Sequence, residues 1–223
     1  MRQIIDILRR AAGRNCPRRT LSHGDLITSL IRDYQAGFHK PPIFVETGSG
    51  LSTVALAKAA GALGGVVYSC DYNDEKVSAL KAAAGNDVAA IHFQMGDSLD
   101  SLRKIADMHD RLDFVFLDSA ASATHTFREF SIVERCLQPG AVLLIDNAAL
   151  PEETRVLSPV RKGKILVHYL LASPVWEVVG YPTAGDSMVA AIKHEKPEYA
   201  DSRYEHSEYV DHWNELFDKE LAR

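Results

Sequence analysis

Short apolar runs alternate with amphipathic stretches along most of this chain, and that alternation limits its folds more than any other feature. Apolar runs at 43–46, 66–70, 90–94, 113–118 and 141–146 predict strands, and the stretches 52–61, 74–83, 98–108 and 125–137 predict helices between them. Runs this apolar suit strands buried on both faces, and strands that alternate with helices form βαβ units. The expected architecture is a doubly wound, mostly parallel α/β sheet. Pro139-Gly140 reads as a turn before the fifth strand, and a further helix is expected near 152–170. Two last runs, 176–181 and 187–193, are joined by a Pro- and Gly-containing linker at 182–186, which suits an antiparallel hairpin at one edge.

With 223 residues and 46% hydrophobic content, one core and one domain suffice. It divides into N-terminal helices at 1–40, the α/β core at 41–194 and a tail at 195–223. Ser22 with Asp25 resembles a capping box ahead of the helix carrying Leu26, Ile27, Leu30 and Ile31. In the tail, Val210, Trp213, Leu216, Phe217 and Leu221 fall at helical spacing, which suits packing on the domain, a homodimer contact or a substrate lid. A formal charge of −5 argues against nucleic acid or an anionic membrane as partner, despite a local cluster at Arg14, Arg18 and Arg19. Cys16, Cys70 and Cys136 lack metal-site or disulfide spacing, and neither a signal peptide nor a membrane span is expected, so a cytoplasmic protein is.

The run Phe44-Val45-Glu46-Thr47-Gly48-Ser49-Gly50-Leu51-Ser52-Thr53 joins a predicted strand to a predicted helix. Glycines there let a ligand approach the backbone. A dinucleotide fingerprint needs a third glycine or alanine where Thr53 stands. Glu46 would repel a pyrophosphate but attract the ammonium of a methionine moiety. The loop therefore suits S-adenosylmethionine better than NAD. Glu46-x-Gly48-x-Gly50 resembles the first motif of class I S-adenosylmethionine-dependent methyltransferases, with Ser52 in place of a third glycine. The resemblance implies a Rossmann-like seven-stranded sheet and a cofactor site built from strand ends. Asp71, ending the second strand, can accept hydrogen bonds from both ribose hydroxyls; in this family the matching acid does so, and the next residue, here Tyr72, covers the adenine. Gly96-Asp97-Ser98 matches the pair the family places beside the adenine amino group, although Asp97 and Ser98 could equally cap the following helix.

The fourth strand runs into Asp118 and the fifth into Asp146-Asn147. In this fold those strands are neighbours, so three oxygen ligands can converge, a set that suits Mg²⁺ or a similar divalent cation. The pattern is similar to the cation-dependent, catechol O-methyltransferase-like branch, over roughly residues 40–193. That branch implies methyl transfer to a small-molecule hydroxyl, with Asp118 near both methyl group and metal. It also carries a lysine three residues past the first metal aspartate, where this chain has Ala121. The nearest candidate base is His125, in a His-Thr-aromatic run also found in another group of small-molecule methyltransferases; histidine exchanges protons near neutral pH. A metal-independent methyltransferase using His125, or a silent nucleoside-binding or scaffolding protein, are the alternatives.

Overall fold

The computed structural model describes residues 21–149, 157–183 and 186–195. The part of the expected N-terminal helices before residue 21, the arginine cluster and the expected tail helix lie outside the described residues.

The described chain opens with α1 (His23–Tyr34), followed by β1 (Ile43–Thr47), α2 (Leu51–Ala62), β2 (Val66–Asp71) and α3 (Asp74–Ala84). Next come β3 (Ile91–Met95), α4 (Ser98–Met108), β4 (Leu112–Leu117), α5 (Ala123–Val133) and β5 (Leu137–Ile145). α6 (Gly163–Ala172), β6 (Trp176–Thr183) and β7 (Asp186–Lys193) complete it. The seven strands form one sheet in the order β3-β2-β1-β4-β5-β7-β6. β1 to β5 are parallel; β7 runs antiparallel to both β5 and β6, as the hairpin reading predicted.

The period of two along the strands sorts side chains onto two cores. Phe44, Phe114, Phe116, Val142 and Leu144 pack with Leu26, Ile27 and Leu30 of α1 and Leu56 of α2. Val45, Val115, Leu117, Leu143 and Ile145 pack on the other face with Leu102 and Ile105 of α4, Phe130 of α5, and Leu166 and Leu170 of α6. Each such fully buried side chain contributes about 1.5–3 kcal/mol by removal from water. Asp113, buried at the start of β4, accepts backbone N–H bonds from His39 and Ile43, both at 2.8 Å, and so fixes where β1 begins.

Three boundaries differ clearly from expectation. β5 begins at Leu137, so Pro139-Gly140 lies inside it, where the β4–β5 register shifts between Leu112 and Phe114. Proline and glycine are tolerated at such an irregularity because ladder bonds are already interrupted. α5 correspondingly ends at Val133 in a 3₁₀ turn, Glu134–Cys136. α6 starts only at Gly163, because Pro159 resists a helix and the segment before Gly163 instead bridges Ala149 through Pro159.

Candidate cofactor and acceptor site

The strand order reverses between β1 and β4, and ligands of open α/β sheets bind at such a switch point, beyond the carboxyl ends of the strands. Backbone bonds carry the ladder one step past each strand there. Gly48 N–H donates to the Cys70 carbonyl (2.8 Å), Asp118 N–H to that of Thr47 (2.9 Å), Gly96 N–H to that of Asp71 (3.0 Å) and Asp146 N–H to that of Leu117 (3.2 Å). Gly48 sits at φ +83°, and a Cβ there would lie 2.3 Å from the Asp118 carbonyl oxygen, so only glycine lets these two loops meet.

A cavity of about 360 Å³ opens at this edge. Gly48, Asp71, Tyr72, Asp97, Ser98, Asp118 and His125 all stand on its wall. Asp71 is buried; its Oδ1 accepts from Asn73 N–H (2.9 Å) and its Oδ2 from Lys76 Nζ (3.0 Å), and a carboxylate has further lone pairs to offer. Tyr72 is 85% exposed at the rim, which leaves its ring able to cover a bound base. Asp97 caps α4 by accepting from Leu99 N–H (2.8 Å), while Ser98 Oγ lies 2.9 Å from His125 Nε2. Volume, carboxylates and close backbone together fit an adenosyl group.

Glu46, Gly50 and Ser52 do not reach the cavity wall; they build the loop from behind. Glu46 is fully buried, and its carboxyl accepts from the hydroxyls of Ser52, Thr53 (2.5 Å) and Ser69 (2.9 Å), while Thr53 Oγ1 accepts from Gly50 N–H (2.8 Å). Burial raises its pKa from 4.5 to about 7, with the three hydroxyls opposing and Asp118 adding to the rise. Glu46 thus braces the loop through the hydroxyls of Ser52, Thr53 and Ser69.

His125 lies in the first turn of α5, whose N-cap is Ser122. Its Nε2 is also 3.4 Å from Oε1 of the fully buried Glu129, which accepts from Ser119 Oγ at 2.6 Å. The sequence reading missed Glu129; its spacing of four residues from His125 on one helix was the available signal.

Asp118 and Asp146 do converge, but around a cation that the sequence reading also missed. Lys162 Nζ lies 2.5 Å from Asp118 Oδ1 and 3.5 Å from Asp146 Oδ2, with only 4% of its side chain exposed. The segment before α6 delivers it: Val160 N–H bonds the Ala148 carbonyl (3.0 Å), and Gly163 sits so tightly on Ala148 that a Cβ would come within 2.0 Å of its carbonyl oxygen. Burial pushes Asp118 up to about 7; the Lys162 ammonium opposes that rise and Asp146 adds to it. Asn147 turns through φ +50° beside them. Among the described residues no group of three His, Cys, Asp or Glu side chains is placed to share a metal ion. Oxygen donors already bound to a buried ammonium do not fit a divalent cation, so the expected metal set of Asp118, Asp146 and Asn147 is not supported. The only sequence hint of Lys162 was the basic run Arg161-Lys162-Gly163-Lys164 before an apolar helix.

Residues 45–148 match the model of a family described as a methyltransferase domain. No curated protein matches the chain. Among solved structures, an O-methyltransferase from Bacillus cereus in complex with S-adenosylhomocysteine is 21% identical, with a TM-score of 0.62 over 86% of this chain and 91% of that one. The O-methyltransferase TomG from Streptomyces achromogenes, in complex with S-adenosylmethionine and involved in tomaymycin synthesis, is 22% identical, with a TM-score of 0.61 over 80% and 83%. A methyltransferase from Podospora anserina bound to S-adenosylhomocysteine is 16% identical, with a TM-score of 0.55 over 77% and 78%. The chain is thus similar to a methyltransferase domain over residues 45–148 and shares its fold with solved O-methyltransferases.

Proposed function

We propose that the protein transfers a methyl group from S-adenosylmethionine to the hydroxyl of a small molecule, using His125 as base and no divalent metal. The observation that carries this reading is the switch-point cavity, whose wall brings Asp71, Asp97, Asp118 and His125 together. The structural likeness to O-methyltransferases supports oxygen as the acceptor atom. When bound, the cofactor supplies an activated methyl group on a sulfonium.

The protein's part is to hold, orient and take a proton. Asp71 accepts the ribose hydroxyls, Tyr72 covers the adenine, and Asp97 or Ser98 meets its amino group. Gly48 brings bare backbone against the ligand. Asp118, on the same wall, draws the cationic end of the cofactor toward β4. His125 removes the acceptor proton, and Glu129 beside its Nε2 stabilises the imidazolium that results. The bound cofactor would supply the methyl group to the acceptor oxygen, whose proton passes to His125.

Calorimetry with S-adenosylhomocysteine tests the cofactor site. Asp71→Ala should weaken binding by about 1.5–3 kcal/mol, as loss of hydrogen bonds to a charged group does; unchanged affinity would remove Asp71 from the site. Turnover is measured as S-adenosylhomocysteine release across a panel of phenols and aliphatic alcohols. His125→Gln should lower it by about 10²–10⁴-fold while leaving S-adenosylhomocysteine affinity nearly intact, and should flatten the pH–rate profile. A variant that keeps the wild-type profile would make His125 a structural residue.

A further inference from the structure

Resting on the methyltransferase reading, we infer that Lys162 is the built-in cation of this site, a positioning residue whose ammonium does for Asp118 and Asp146 what a divalent metal ion would otherwise do. Two carboxylates at neighbouring strand ends repel each other unless positive charge or a proton lies between them. Here a single buried ammonium contacts both, at 2.5 and 3.5 Å. It is not a surface lysine that has drifted inward. Gly163 backs onto Ala148 without room for a side chain, and Val160 is bonded to the same residue, so the backbone on either side of Lys162 is tied to the loop that follows Asp146.

The substitution of an ammonium for a metal changes what the site can accept. A divalent ion offers several open coordination positions and can hold two acceptor oxygens at once. A lysine ammonium has three N–H donors, and Asp118 and Asp146 already face it. With so little of Lys162 exposed, no open position remains for a chelating pair. The acceptor class is therefore a hydroxyl compound that need not carry two adjacent oxygens, oriented by the cavity wall and by His125. One further buried atom belongs to this cluster: among the described residues Asp146 Oδ1 has no hydrogen-bond partner, and it lies 3.8 Å from Nε2 of His23, which brings the start of α1 to the same edge.

The test is Mn²⁺ binding to the full-length chain after dialysis against chelator, followed by electron paramagnetic resonance. Wild type should take up no Mn²⁺ at the site. Lys162→Ala leaves two carboxylates and Asn147 without a counter-charge and should bind Mn²⁺ at least about tenfold more tightly than wild type, a gain of about 1.4 kcal/mol or more. Lys162→Arg, which keeps the positive charge, should stay metal-free. One equivalent of Mn²⁺ bound by wild type, or equal affinities in wild type and Lys162→Ala, would overturn the inference. The wild-type titration decides this even if the alanine variant fails to fold. S-adenosylhomocysteine calorimetry on the same wild-type sample in chelator separates the two ideas. Absence of binding there would count against the cofactor reading alone, whatever the Mn²⁺ result.

Discussion

At Glu46 a carboxyl group is locked under the glycine loop, and its burial sets a sign for the pH dependence of stability. Its pKa rises from 4.5 to about 7 on folding. Between those values the folded chain keeps a proton that the unfolded chain has released, so stability falls as pH rises through the window and levels off above it. The loss attributable to Glu46 is roughly 3 kcal/mol. Asp118, raised to about 7, adds a slope of the same sign. Glu46→Gln keeps an acceptor for the surrounding hydroxyls but has no proton to lose, so it should make the decline between about pH 5 and 7.5 shallower. Urea unfolding across that range measures it, and a variant as steep as wild type would contradict the burial argument. The sequence showed that Glu46 belongs to the loop. It did not show that Ser52, Thr53 and Ser69 would surround it, because those hydroxyls come from α2 and β2 and meet only once β1 and β2 pair.

The strands and helices were largely legible because each carries its own signal. β1 to β5 read as apolar runs since both their faces are covered, and α4 showed a polar and an apolar side with Asp97 at its start. What escaped were the places where tertiary contact outweighs local preference. Pro139-Gly140 looks like a turn, yet pairing of Leu137 with Leu112 draws it into β5. The start of α6 depends on contact with Ala148 rather than on any cap. Glycine substitutions separate these cases. Gly163→Ala drives a methyl into the Ala148 carbonyl and should destabilise by about 1–3 kcal/mol, as overpacking does, while also loosening Lys162. Gly61→Ala in α2 meets no atom of the described residues within 4 Å and should stabilise by about 0.5–1 kcal/mol. Urea midpoints of the two variants are the measurement; a tolerated Gly163→Ala would mean that the α6 junction is not closely packed.

Across the whole molecule, one rule made most of the site readable: in a parallel sheet every strand ends at the same edge, so residues that follow β1, β2, β3, β4 and β5 share a neighbourhood however far apart they lie in the chain. Gly48, Asp71, Asp97, Asp118 and Asp146 could therefore be picked out by position alone. Among the described residues no helix is long and apolar enough to cross a membrane. The sequence by itself determined the alternation, the sheet class, the glycine loop and the acidic residues at the strand ends, because each is a local pattern read against a repetitive architecture. The tertiary structure alone decided the fate of those acids. It turned Glu46 inward, set Glu129 behind His125, and placed Lys162 between Asp118 and Asp146. The electrostatics of a buried group depend on which distant side chain arrives beside it. For Lys162, 44 positions beyond Asp118 in the chain, that arrival is set by the bonds that tie Val160 to Ala148 and Pro159 to Ala149.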